Sequence, residues 1–254
     1  MKIVSYNLNG IRAAIRKGLV DWVAMEKPDV LCFQETKARR EDVELKEFRD
    51  LGYGAFWHSA EKKGYSGVLT LSLEDPVNTE IGMGVEEYDR EGRIIRTDFR
   101  GFSLLNCYFP SGTSGDERQA VKMRFLEDFF SWAHELKKEV PKLVIAGDYN
   151  IANTPLDIHN PERNKNTSGF KPEEREWMDK WFESGFSDPF RQLHPEKIEY
   201  SWWSYRAASR KRNKGWRIDY ISVSDELKDR IKFLRHANEA VHSDHCPVVL
   251  ELDL

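Results

Sequence analysis

Nine short runs of β-branched and apolar residues recur from end to end of this sequence, and they constrain its fold more than any other feature. They are Lys2–Tyr6, Asp29–Gln34, Ala55–His58, Gly67–Ser72, Arg93–Phe99, Ser103–Phe109, Lys142–Gly147, Arg217–Ser224 and Cys246–Leu252. Each has the length and composition of a single strand. So many strands must pair into sheets, and few helices remain to cover them. Apolar residues at helical spacing predict one long helix over Asp116–Glu139, with Met123, Leu126, Phe130, Ala133 and Leu136 on one face. Asp116 and Gln119 have the spacing of a capping box, Lys137 and Lys138 suit the negative C-terminal end, and Pro141 prevents continuation. A second helix is predicted near Pro172–Ser184, with Pro172 in its first turn and Gly185 as its stop. Shorter helices fit Leu19–Lys27 and Glu41–Leu51. Trp177 and Trp181, one turn apart on the second helix, are expected in the core.

With 254 residues and no linker, low-complexity tract or shift in composition, residues 1–254 are expected to form one domain, large enough to fold without disulfides or a structural metal. Cys32, Cys107 and Cys246 sit in apolar stretches with no C-x-x-C pair and read as buried free thiols in a reducing compartment. The first ten residues lack the apolar core of a secretion signal, and no run approaches the roughly 18 residues of a membrane span, so an intracellular, soluble protein is expected. A formal charge of −4 argues against a basic coat over the whole surface, although it leaves room for a local basic face.

Polar residues end or interrupt the apolar runs: Asn7 and Asn9, Glu35 after LCFQ, Tyr108 before FPSG, Asp148 and Asn150 after VIAG, Asp219 within WRIDY, and Asp244 and His245 before CPVVLEL. Taken singly, each fits a turn, a cap or a strand aromatic. Taken together at several strand ends, their carboxylates and amides would make an oxygen-rich pocket suited to a hard cation such as Mg²⁺. No His or Cys spacing suggests zinc, which leaves His245 as an acid/base or phosphate-orienting group. IVSYNLNG near residue 3 and LVIAGDYNI near residue 143 also echo one another, each placing polar side chains two apart on one face of a strand.

The blocks SYNLNGIRAA, FQETK, NCYFPSG, AGDYNIANTPLDI, SGFKPEERE, WWSYR, GWRIDYISVS and SDHCPVVLEL, in that order from residue 5 to residue 252, resemble the successive signatures of the exonuclease III type of abasic-site endonucleases. That family lies within the endonuclease/exonuclease/phosphatase superfamily. The resemblance implies a deoxyribonuclease I-like α/β fold, a four-layer sandwich of two packed mixed β-sheets flanked by helices. It implies Glu35 as the main metal-binding carboxylate, with Asn7, Asn9, Asp148, Asn150, Asp244 and His245 completing the metal region. Mg²⁺ is the implied cofactor, and Mn²⁺ a substitute. Asp148 would orient or deprotonate the attacking water, and Asn150 would hold that water and stabilise the transition state. His245 would bind the scissile phosphate, oriented by Asp219, and Tyr108 would contact the phosphate or assist the leaving group. Ser111 stands where relatives carry a longer amide side chain, and Asn9 where some carry aspartate.

Between Trp203 and Arg217 the chain has Arg206, Arg210, Lys211, Arg212, Lys214 and Arg217 and no acidic residue, with Trp202, Tyr205 and Trp216 interleaved or adjacent. Basic and aromatic residues in this combination suit nucleic acid, although a solvated loop anchored by its aromatics would look the same. By resemblance, Trp202, Trp216 and Ile218 would line a pocket for a flipped-out baseless sugar. The expectation is therefore a monomeric, metal-dependent enzyme that incises duplex DNA 5′ to abasic sites. It would also degrade DNA 3′→5′ and clear blocked 3′ ends, working in the cytoplasm on the nucleoid. A phosphatase of the same superfamily acting on a lipid or small phosphoester, and a catalytically inactive DNA- or partner-binding member, are the alternatives.

Overall fold

The computed structural model describes residues 1–254. Its strands are β1 (Lys2–Asn7), β2 (Val30–Gln34), β3 (Gly54–His58), β4 (Val68–Ser72), β5 (Asn78–Ile81), β6 (Ile94–Phe99), β7 (Phe102–Tyr108), β8 (Leu143–Asp148), β9 (Phe186–Ser187), β10 (Asp219–Ser224), β11 (Ile231–His236) and β12 (Val248–Leu252). They form two six-stranded sheets, ordered β11-β12-β1-β2-β4-β3 and β5-β6-β7-β8-β10-β9. Each sheet is mixed: β1 runs parallel to β2, and β7 parallel to β8, while every other pairing is antiparallel.

The central strands are apolar on both faces because both faces are covered. Ile3, Val30, Cys32, Leu104, Val144, Ala146, Ile221, Val248 and Leu250 form the layer between the sheets. The alternate residues Val4, Tyr6, Leu31 and Phe33 face outward against the helices Ile11–Arg16 and Leu19–Glu26, through Ile11, Leu19 and Val23. On the other side Leu105, Cys107 and Ile145 meet Phe125, Phe129 and Trp181 of the helices Asp116–Glu139 and Pro172–Glu183. The result is the expected four-layer α/β sandwich. All three cysteines are buried and free, and no helix is long and apolar enough to cross a membrane.

All nine strands expected from the sequence are present within a residue or two. Three more lie at the margins, where sequence carries little signal. β5 is mostly exposed, β9 has two residues, and only Leu234 and His236 are fully buried in β11. Two helix expectations need correction. Residues 41–51 do not form one helix: a 3₁₀ turn at Arg40–Asp42 is separated from a short helix at Lys46–Asp50, where the Glu44 carboxylate accepts the Lys46 N–H. The Asp116/Gln119 capping box does not form either. Gly115 precedes the helix without a side-chain cap, and Gln119 is drawn into the interior, where it donates to Glu174 and accepts from Ser168. A buried tertiary partner has displaced a solvent-exposed local one. The buried face is centred on Phe125, Leu126 and Phe129, which leaves Met123 and Phe130 on its flank.

The sequence echo has a structural counterpart. β1 and β8 occupy equivalent central places, each parallel to one neighbour and antiparallel to the other. Each ends in the same turn: Asn9 N–H donates to the Asn7 side chain at 2.9 Å, and Asn150 N–H to the Asp148 side chain at 2.8 Å. Both third residues have positive φ, +46° and +55°. Asn tolerates this conformation better than most side chains.

Candidate active site

Sheet register assembles the chemistry. Tyr108 pairs with Asp148 across β7 and β8, and Asp148 with Asp219 across β8 and β10, so three polar side chains stand abreast at one sheet end. On the facing sheet Asn7 pairs with Gln34, and the chain turns immediately afterwards at Glu35. Asn9, Glu35, Lys37 and Asn150 all have positive φ, between +46° and +55°. Non-glycine residues in this region are costly, and their concentration here marks a functional constraint.

The two sheets meet through Asn7. Its side-chain amide donates to Glu35 at 3.0 Å and to Asp148 at 2.9 Å, and its oxygen accepts the Asn9 N–H. Carboxylates on both sides fix this orientation, since only the NH₂ can satisfy them. Asn7 is thereby a buried bridge between two carboxylates. Tyr108 donates its phenol to Glu35 at 2.7 Å. His245 places Nδ1 2.9 Å from Asp219, leaving Nε2 4.0 Å from Asp148. Asp219 is in turn held by Ser201, whose hydroxyl donates to it at 2.6 Å and accepts the Ile218 and Asp219 N–H groups.

Burial and the neighbouring Asp219 and Glu35 carboxylates raise the proton affinity of Asp148, against the opposing effect of His245. Burial alone would strip the His245 imidazole of its proton, but Asp219, Asp148 and Asp244 outweigh it and raise its affinity. Glu35 behaves differently. Burial works against its charge, but the Lys37 ammonium and the bonds from Asn7 and Tyr108 prevail and hold it below the usual carboxylate range. Burial and the nearby Glu35 and Asp148 charges keep Tyr108 a neutral phenol. Four carboxylates, Glu35, Asp148, Asp219 and Asp244, thus converge on two cationic side chains, Lys37 and His245. The excess negative charge that attracts a proton equally favours a divalent cation. Glu35 and Asp148 offer carboxylate oxygens that lie within 4.8 Å of one another and of a His245 ring nitrogen, and the two carboxylates suit a hard metal ion.

The cavity over this cluster has a volume of about 390 Å³. Asn9, Glu35, Tyr108, Asp148, Asn150, Asp244 and His245 line it together with Trp202, Trp216 and Ile218. Trp202 and Trp216 exchange backbone hydrogen bonds and meet edge to face with centroids 6.1 Å apart. Gly215 permits that approach, since a Cβ there would lie 2.5 Å from the Trp203 indole nitrogen and 2.7 Å from the Trp202 carbonyl. The Trp202 indole donates to Asp244 at 3.1 Å, and Asp244 also accepts from Asn9. One carboxylate therefore joins the apolar wall to the polar floor.

The basic segment divides into two groups. Arg206, Lys211, Arg212 and Lys214 are exposed. Arg217, expected to face DNA, is 1% exposed and paired with Asp157 at 2.6 Å and Asp188 at 2.8 Å. It precedes β10, where the chain has already entered the interior. Arg210 is likewise occupied: its guanidinium lies over Trp203 and donates to the carbonyls of Asn238, Ala240 and Ser243. Neither presents a free guanidinium to a phosphate. Trp177 and Trp181 are buried and stacked 5.5 Å apart, away from the cavity.

Lys37 and Ser201 were not singled out from the sequence. Lys37 lies within the FQETK block and places its ammonium 2.6 Å from Glu35, so that block held the signal. Nothing marks Ser201 beyond its place before Trp202. Ser111 lines the cavity, and its hydroxyl is 3.0 Å from that of Thr113.

The chain matches the Endonuclease/Exonuclease/phosphatase family over residues 4–245. An exodeoxyribonuclease of Bacillus subtilis (strain 168) is 40% identical over 256 residues, covering all of both chains. The DNA repair nuclease APEX1 of Danio rerio is 38% identical over 99% of this chain and 82% of its own length. Among solved structures, an AP endonuclease from Archaeoglobus fulgidus superposes with a TM-score of 0.91 at 32% identity over the whole of both chains. A 3′-5′ exonuclease from Neisseria meningitidis does so with 0.93 at 28%, again over both whole chains.

Proposed function

Because the chain belongs to the endonuclease/exonuclease/phosphatase family, we propose that it is a metal-dependent DNA repair nuclease that cleaves duplex DNA on the 5′ side of abasic sites, with 3′→5′ exonuclease and 3′-end-cleaning activity. Residues 1–254 act as one catalytic unit, as a monomer. The observation that carries this reading is a single cavity lined both by a carboxylate–histidine cluster and by the apolar Trp202, Trp216 and Ile218 wall. The wall offers an apolar surface to a baseless deoxyribose flipped out of the duplex. The alternative lipid or small-phosphoester substrate has no need of the exposed basic segment at Arg206–Lys214, and a pure binder has no need of Asp148 and His245 beside a phosphate.

Glu35 and Asp148, with Asn9, Asn150, Asp244 and His245 around them, would hold Mg²⁺ or in its place Mn²⁺. A bound ion would supply charge neutralisation at the phosphoryl oxygens and at the departing 3′ oxygen. The side chains do the rest. His245, its Nδ1 fixed by Asp219, directs Nε2 at the scissile phosphate. Asp148 takes the proton of the attacking water at a carboxylate oxygen, and its raised proton affinity suits that role. Asn150 positions the same water through its side-chain oxygen, while one of its amide hydrogens is held by the Phe109 carbonyl. The Tyr108 phenol, kept neutral, is a donor beside the phosphate.

The test is incubation with a duplex containing one synthetic abasic site and a second duplex with a blocked 3′ end, each with Mg²⁺ or with EDTA, followed by sizing of the products. Mg²⁺-dependent cleavage immediately 5′ to the site is the expected result. An intact abasic strand under both conditions would refute the reading.

A further inference from the structure

Lys122 and Glu174 form an ion pair at 2.6 Å with both side chains 0% exposed, between the helices Asp116–Glu139 and Pro172–Glu183. Burying two charges is expensive, and an apolar pair of similar volume commonly stabilises a fold as well or better. Joining the helices therefore does not account for it. Its other contacts do. The Lys122 ammonium donates to the backbone carbonyl of Asn150 at 2.8 Å. Glu174 accepts the Gly169 N–H at 2.6 Å and the Lys171 N–H at 2.9 Å. Gly169, at φ +96°, lies so close to Asn150 and Trp216 that a Cβ would be 3.0 Å from the carbonyl of one and the ring of the other.

Asn150 is tied on three sides. Its N–H goes to Asp148, its side-chain NH₂ to the Phe109 carbonyl at 2.9 Å, and its own carbonyl to Lys122. The side-chain oxygen and the second amide hydrogen remain free. The positive φ turns the Asn150 carbonyl into the protein interior, where an unpaired acceptor would be costly, and a lysine from the neighbouring helix supplies the donor.

We propose that Lys122 and Glu174 are positioning residues: Lys122 locks Asn150 in its left-handed conformation, and Glu174 holds the Gly169 turn against Asn150 and Trp216. This rests on the reading of Asn150 as a group that orients the attacking water.

The informative comparison is Glu174→Gln against the double variant Lys122→Met/Glu174→Gln. Glutamine retains an acceptor for the turn, so the two differ at the donor to Asn150. Incision of the abasic duplex should show kcat roughly 10- to 100-fold lower in the double variant, with KM changed by less than about threefold. Glu174→Gln, which leaves the Lys122 ammonium buried without its counter-charge, should melt at or below the double variant. Amide exchange over residues 149–152 should accelerate in the double variant while the 220–223 strand segment is unaffected. Equal kcat and equal exchange would overturn the proposal, as would a double variant that does not fold, since the pair would then serve the fold itself. If the parent protein does not cleave the abasic duplex, the reading of function fails, and the exchange comparison alone decides whether Lys122 positions Asn150.

Discussion

Asp148 accepts a hydrogen bond from the Asn150 N–H and another from the Asn7 amide. An Asp148→Asn variant keeps the shape and the first bond but loses the capacity to take a proton. Its kcat should fall roughly 10²-fold or more with the fold intact by circular dichroism, and activity within a few-fold of the parent would remove Asp148 from the proton transfer. Glu35 is held ionised by Lys37, Asn7 and Tyr108. Glu35→Ala should therefore raise the Mg²⁺ concentration giving half-maximal rate, and an unchanged metal titration would place the ion elsewhere. Trp202 contributes both an apolar face and an indole N–H bound to Asp244. Trp202→Ala should weaken abasic-site binding by roughly 1–3 kcal/mol and narrow the ratio of kcat/KM between abasic and intact duplexes. A preserved ratio, even with both rates lowered, would assign Trp202 to general docking.

Among the larger elements, the basic loop is a free set of charges mounted on a fixed base. Arg210 fastens it to the carbonyls of Asn238, Ala240 and Ser243, while Arg206, Lys211 and Lys214 stay exposed. Neutralising these three together should flatten the salt dependence of DNA binding by close to one unit of log–log slope for each phosphate that they pair with. A slope equal to that of the parent would mean that the loop does not touch the backbone. The helix pair Asp116–Glu139 and Pro172–Glu183 supports the site from behind, and its packing is aromatic: Trp181 of the second helix meets Phe129 and Phe130 of the first, with centroids 5.7 Å and 6.1 Å apart.

Across the molecule as a whole, the Arg217 cluster links segments far apart in sequence. Asp157 accepts from Arg217 and from Arg191, and Arg217 also meets Asp188. Burial favours the protonated form of Asp157, but the guanidiniums prevail and depress its pKa to about 2. Because the folded value lies below the unfolded value of about 3.9, this group contributes stability at neutral pH that is lost as pH falls from about 4 through about 2, on the order of 2 kcal/mol in all. Denaturant midpoints of the parent and of Asp157→Asn, measured from pH 6 down to pH 2, should converge at the acid end. A gap that stays constant over that range would show that Asp157 does not titrate with folding.

The nine principal strands, the long helix, the buried cysteines and the family resemblance were all legible along the chain. Strand alternation and helical spacing are local properties, and a chain apolar on both faces of its strands has to layer helices over its sheets. The strand-end positions of Glu35, Asp148, Asp219 and His245 were legible too, because a polar residue that closes an apolar run is visible without a structure. What those side chains do to one another was settled by packing. Arg206 and Arg217 are both arginines of one basic stretch, yet one is exposed and the other is buried against Asp157 and Asp188. The Asn7 amide faces two carboxylates, and the Gln119 side chain left its helix cap for Glu174, because partners 28 to 141 residues away outcompeted nearer ones. Lys122 shows the limit most clearly. On the sequence it is one more lysine of a charged helix, and its burial follows from the inward turn of the Asn150 carbonyl, which no local pattern records. Hydrogen bonding and charge pairing depend on distance in space, which the packing of the two sheets and their helices sets.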